Sequence, residues 1–210
     1  MLLEIEERTL SSVAFVALGI RRTGLGYHTG ILYRSASGGF LFLHLAWNFD
    51  LKNDELPTGY KMGPITLSPS EQKFIAALCN KIAMNSEQIP YGLSDEGVSF
   101  EAVDGRLRLA ATGKGLTCAT FVLSIFEVYG YVLLKRDEWP EDANLEWQSA
   151  ILELLEKSGA PEKQLNAVRD DLGCRRYTPL EVVGAAGQSG WPIGFSEALR
   201  LAEQLEMELN

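Results

Sequence analysis

Apolar and polar positions alternate with a strand period over residues 11–47, and the period lengthens further on. Residues 11–20 (Ser-Ser-Val-Ala-Phe-Val-Ala-Leu-Gly-Ile) read as a strand, followed by a polar, glycine-containing turn over 21–26. A second strand over 27–35 carries His28. A Ser37-Gly38-Gly39 turn then leads into a third strand, over 40–47, which carries His44. The last two strands have the pattern of a hairpin. Side chains alternate along a strand, so Phe40, Phe42, His44 and Ala46 share one face. Residues 48–67, with Pro57, Gly59, Gly63 and Pro64, read as a loop.

Helical spacing takes over at Ser68. Ser68 and Glu71 make a capping box and Pro69 suits the first helical position, with Phe74, Ile75, Leu78, Cys79 and Ile82 as the buried stripe. A turn at 89–93 and a hairpin over 98–110 across Asp104-Gly105 precede Gly113-Lys114-Gly115-Leu116-Thr117-Cys118. From Thr117 onward Phe121, Val122, Ile125, Phe126 and Tyr129 recur at helical spacing, and Gly130 ends the run. Residues 131–135 read as a short strand. Beyond Trp139-Pro140 the pattern is helical: 144–157 with Leu145, Ile151, Leu152 and Leu155 apolar, 161–172, a capping box at Thr178-Pro179-Leu180-Glu181, and an acidic helix from Ser196. The glycine-rich stretch 184–194 reads as a flexible segment. The expected organisation is a domain over 1–140 and a helical extension over 141–210, packed on the first or presented to a protein partner.

Composition narrows the function classes. A chain of 210 residues with 46% hydrophobic content can bury a full core. The net charge of −9, with no Lys/Arg-rich run, argues against nucleic acid or an anionic membrane as partner. The apolar run 13–20 is too short to span a bilayer, and the acidic Glu4, Glu6 and Glu7 do not suit a signal peptide. Cys79, Cys118 and Cys174 are widely spaced and odd in number. That pattern fits neither a disulfide framework nor a zinc site, and a cytoplasmic protein without metal or cofactor is expected.

The candidate chemistry sits on Cys118 and the two histidines, which are the only ones in the chain. Cys118 falls in the first turn of a buried helix, where free backbone N–H groups and the helix dipole favour a thiolate and offer donors to an oxyanion. His28, at the start of its strand, is the candidate base. His44, on the neighbouring strand, can orient it, with Asn48 and Asp50 as weaker candidates for that role. The competing readings are a buried cysteine serving as a small hydrophobe and a core histidine bonded to backbone.

Residues 28–46, His-Thr-Gly-Ile-Leu-Tyr followed by a glycine turn and Phe-Leu-His-Leu-Ala, resemble the paired-strand motif of the lecithin–retinol acyltransferase family. Thr117-Cys118-Ala119-Thr120-Phe121-Val122, continuing to Tyr129-Gly130, is similar to that family's Asn-Cys-Glu-His-Phe-Val motif. Tyr27-His28-Thr29-Gly30-Ile31 also resembles the histidine motif of the permuted desumoylating isopeptidases. The resemblance covers roughly residues 12–135. The chain departs from it at Thr117, where asparagine is usual, and at Ala119-Thr120 in place of Glu-His.

The resemblance implies an α+β, circularly permuted papain-like (NlpC-like) fold with a small antiparallel sheet packed on the cysteine-bearing helix. It implies a Cys–His–His triad of Cys118 as nucleophile, His28 as base and His44 as orienting group. The activity expected is that of a cysteine hydrolase of amidase or peptidase type, acting on a peptide, amide or acyl substrate through a thioester at Cys118. The alternatives are an acyltransferase of the same fold and a non-catalytic protein-interaction module.

Overall fold

In the computed structural model, which describes residues 2–85, 88–111, 113–142 and 144–210, the alternating stretch forms the middle of an antiparallel sheet. β2 (Val16–Thr23), β3 (Gly26–Arg34) and β4 (Phe40–Trp47) are consecutive neighbours. The turn expected over 21–26 shrinks to Gly24-Leu25, because Arg21, Arg22 and Thr23 stay in register opposite His28, Tyr27 and Gly26.

The stretch 48–67, expected to be a loop, contributes two more strands. β5 (Asp50–Asp54) turns back beside β4, with Phe49 at a φ of 57° and a bulge at Leu45/Trp47, and β6 (Lys61–Gly63) pairs with β2. β1 (Leu3–Glu4) pairs with β6 to complete the order β1-β6-β2-β3-β4-β5. β5 is an edge strand whose charged side chains keep it from pairing further. The same polarity is why its sequence reads as a loop.

The two faces of the sheet are unequal. Val16, Leu18, Ile20, Ile31, Tyr33, Leu43 and Leu45 face a large core shared with the helices, while Ala17, Leu32, Phe42 and Met62 join Val13 and Tyr60 in a smaller cluster on the other side. α2 (Pro69–Asn85) and α3 (Cys118–Glu127) pack on the large face. In α2 the Ser68–Glu71 capping box forms as expected, and Ile75, Leu78, Cys79 and Ile82 are buried, but Phe74 points outward with 55% of its surface exposed. Every residue from Cys118 to Phe126 of α3 is buried. The hairpin expected over 98–110 is present as β7 (Val98–Phe100) and β8 (Leu107–Leu109).

α4 (Leu145–Lys157), α5 (Glu162–Asp170), α6 (Pro179–Ala186) and α7 (Phe195–Leu209) follow. Ile151, Leu155, Val168, Val182, Ala186 and Ala198 belong to the same buried cluster as the sheet, so the region 141–210 is packed on the core. α6 lies against β2 and β3, and α7 lies on α6. Gly184 permits that last contact, since a Cβ there would stand 2.8 Å from Leu201 Cβ.

Three local expectations fail. Leu145, counted with the apolar positions of the amphipathic helix over 144–157, lies exposed at the start of α4 and not on its buried face with Ile151 and Leu155. Residues 131–135 form no strand; Leu134 makes a single bridge to Ile193. The stretch 184–194 is tied down by Ile193 N–H to Leu133 O (2.8 Å), Lys135 N–H to Ile193 O (2.9 Å) and the Trp191 indole N–H to Ala185 O (2.7 Å). Among the described residues no helix is long and apolar enough to cross a membrane. In sum the fold is α+β, with a six-stranded antiparallel sheet, the separate β7–β8 hairpin and, among the described residues, seven α-helices including the short α1 (Glu7–Leu10).

Candidate active site

The β3–β4 register ends at Ile31 opposite Leu43, so residues 26–30 of β3 pair with β2 alone. The N-terminus of α3 docks at this unpaired segment. Thr117 caps the helix: its side chain accepts from Thr120 N–H (3.1 Å), and the Thr120 hydroxyl accepts from Thr117 N–H (2.8 Å). Such a box fixes the entry angle of the chain and the position of the first helical residue, Cys118.

His28 and His44 lie on the smaller face, on neighbouring strands. His28 Nε2 and His44 Nδ1 are 2.9 Å apart, and His44 Nε2 is 2.9 Å from Asp54 Oδ2. An ionised carboxylate only accepts, which assigns the remaining protons. His44 Nε2–H donates to Asp54, His44 Nδ1 accepts from His28 Nε2–H, and His28 Nδ1 keeps its lone pair. Gly30 makes room for this chain, because a Cβ there would sit 2.5 Å from His44 Cβ and 2.8 Å from Leu43 O. The Phe42 ring supports His44 from the side, with centroids 5.0 Å apart.

Cys118, His28 and His44 line one cleft of about 280 Å³, together with Tyr91, Arg21 of β2, and Trp147, Arg176 and Tyr177 from the C-terminal helical region. The structure therefore brings all three expected residues to one place. The weaker candidates are occupied elsewhere. Asn48 Oδ1 accepts from Tyr91 N–H (2.9 Å) and Gln164 Nε2–H (2.6 Å), bracing the loop against α5, and Asp50 pairs with Lys52 at 2.9 Å. The acid that meets His44 is Asp54, which the sequence reading missed by treating 48–67 as a loop. An alternating reading of 50–54 would have placed Asp54 on the face that β5 shares with His44, two positions on from its partner Lys52. Cys79 is fully buried in the core, and Cys174 is half-buried away from the cleft.

The charge states differ from the thiolate expected at a helix start. Burial pushes the Cys118 thiol above its ordinary range, against the pull of the backbone N–H groups of Thr29, Ala119 and Cys118 itself and of the Arg176 charge. Burial also depresses His28 to about 3, helped by the His44 and Arg21 charges. His44 is lowered by burial, a shift opposed by its bond to Asp54. At neutral pH the cleft therefore holds a thiol at Cys118 and an uncharged imidazole at His28. The imidazole lone pair can take the thiol proton once a substrate carbonyl is in place.

Among the described residues no three His, Cys, Asp or Glu side chains converge as metal ligands would. Comparisons of the chain with protein-family models, with curated proteins and with solved structures give no match.

Proposed function

We propose that the protein is a cysteine hydrolase of amidase or peptidase type, built on a circularly permuted papain-like fold and acting through Cys118. The observation that carries this reading is the chain Asp54–His44–His28 opening on the cleft that Cys118 lines at the start of α3. The order of the parts, two histidine strands followed by a cysteine helix, agrees with the resemblance to the lecithin–retinol acyltransferase family and the permuted isopeptidases.

In the first step the Cys118 sulfur attacks an amide or ester carbonyl while the thiol proton passes to His28 Nδ1. The charge then carried by His28 is spread through its Nε2–H bond to His44 and from there to Asp54. Backbone N–H groups of the first turn of α3 stand ready for the oxyanion. His28 returns the proton to the leaving nitrogen or oxygen as the C–N or C–O bond breaks, leaving a thioester. Water then attacks the thioester with its proton accepted by His28, and the C–S bond breaks to release the acid and restore the thiol. An acceptor other than water would turn the same steps into acyl transfer, and product analysis separates the two.

The test is a burst experiment with p-nitrophenyl acetate. A stoichiometric burst of p-nitrophenolate, with the acetyl group found on Cys118 by mass spectrometry and both lost in Cys118→Ala, is expected. No acyl group on Cys118, or a burst that survives in Cys118→Ala, overturns the proposal and leaves the interaction-module reading in its place.

A further inference from the structure

One wall of the cleft comes from the C-terminal helical region and carries Arg176, which makes no ion pair with a carboxylate among the described residues. The Arg176 guanidinium lies over the Trp147 ring, with Cζ 3.8 Å from the centroid, and one of its N–H groups donates to Asn144 Oδ1 at 3.0 Å. Its acidic neighbour Glu181 favours the guanidinium from outside ion-pair distance and accepts, at Oε2, from Thr178 N–H (2.7 Å) and Trp139 Nε1–H (3.3 Å). No carboxylate of the described residues makes an ion pair with Arg176. The same is true of Arg21 of β2, which also lines the cleft and lies over the Tyr60 ring at 4.7 Å.

The chain has 28 acidic residues against 19 Lys and Arg, and the partly buried Arg136 pairs with Asp95 and Glu127. Among the described residues Arg22 and Arg34 also lack a carboxylate partner, but they donate to Asn210 Oδ1 and to the Ala14 and Gly38 carbonyls at the exposed surface, away from the cleft. A partly buried guanidinium without a counter-ion is costly to keep. Stacking on Trp147 fixes the plane of Arg176 while leaving N–H donors at its edge, the geometry that matches a carboxylate. Arg176 and Arg21 both border the cleft that holds Cys118.

We infer that the cleft takes an acyl substrate bearing a carboxylate, which Arg176 binds while the carbonyl lies against Cys118, with Arg21 adding a second positive charge. This rests on the reading of Cys118 as the nucleophile. It gives the region 141–210 a direct part in substrate selection.

Iodoacetate and iodoacetamide test it, because both alkylate at the same carbon with loss of iodide and differ only in carrying a carboxylate or a carboxamide. The readout is the ratio of the two alkylation rates at Cys118, divided by the same ratio for 2-mercaptoethanol. General changes in thiol reactivity cancel in this quotient. A charge-assisted bond to Arg176 predicts a preference for iodoacetate of about tenfold, shrinking with added salt. Arg176→Gln should remove most of it and Arg176→Lys should keep part of it. On the unaltered protein, succinate should slow the alkylation of Cys118 by iodoacetamide and succinamide should not.

If iodoacetamide labels Cys118 selectively but iodoacetate is not preferred and succinate gives no protection, the carboxylate inference is overturned and the nucleophile stands. A preference unchanged in both Arg176 variants overturns the assignment to Arg176. If neither reagent reaches Cys118 ahead of Cys174, the catalytic reading itself fails, and the inference with it.

Discussion

Asp54→Asn replaces one carboxylate oxygen with an amide nitrogen at the outer end of the His28–His44 chain. In the wild type Asp54 accepts from His44 Nε2–H at 2.9 Å, and its charge is what the chain offers to a protonated His28. A hydrogen bond to a charged group contributes about 1.5–3 kcal/mol. The Asp54 side chain is 50% exposed, so water screens part of this. About 1–2 kcal/mol of transition-state stabilisation is then lost, or roughly 5–30-fold in the rate of acylation. Should the amide turn its NH2 group toward His44 Nε2, the proton assignments along the chain reverse. A proton would then sit on His28 Nδ1, and the loss would be larger. Asp54 does not line the cleft, so the defect falls on the acylation rate and not on saturation by the ester. The assay is the p-nitrophenolate burst at a series of ester concentrations, with folding checked by thermal melting. A folded Asp54→Asn protein that acylates Cys118 at the wild-type rate would refute the relay from Asp54 through His44 to His28.

Two further predictions concern how the site is held. Gly30→Ala places a Cβ 2.5 Å from His44 Cβ and 2.8 Å from Leu43 O, so overpacking should cost about 1–3 kcal/mol; urea unfolding and the acylation rate should both register it. His28 is depressed by burial to about 3 from an ordinary 6.5, so below pH 6.5 the unfolded chain binds a proton at this residue that the folded chain refuses. Its contribution to stability is present in full above pH 6.5 and is lost as pH falls toward about 3. In His28→Asn the slope of stability against pH between pH 6 and 4 should be flatter than wild type by about 1.4 kcal/mol per pH unit. Equal slopes in urea titrations would contradict the buried, uncharged imidazole.

How much of this is legible in the sequence depends on the range of the interactions involved. Alternation along residues 27–47 is local, and by itself it places His28 and His44 on adjacent strands. The cap at Thr117 and the helical period after it are local as well, and they put Cys118 at a helix start. Asp54 escaped because Asp-Leu-Lys-Asn-Asp is an edge strand that shows the core little beyond Leu51, and a polar strand without an apolar face has no period to read. Arg176 escaped for another reason. It lies in the connection between α5 and α6, where nothing periodic marks it, and only the packing of the C-terminal helices on the core carries it to the cleft. The charge state of Cys118 shows the same divide. The helix N-terminus favours a thiolate, but the burial that outweighs it depends on every segment closing around the cleft.

The most direct measurement is the order in which the three cysteines of the folded protein are alkylated by iodoacetamide at pH 7, followed by peptide mass spectrometry, in wild type and His28→Ala. Burial raises all three thiols, with Cys174 pushed up to about 11, so none would react quickly without help. Fast labelling of Cys118 alone, falling to the pace of Cys174 when His28 is removed, is the result expected of a nucleophile served by His28. Labelling of Cys118 no faster than Cys174, or unchanged in a folded His28→Ala protein, would contradict it.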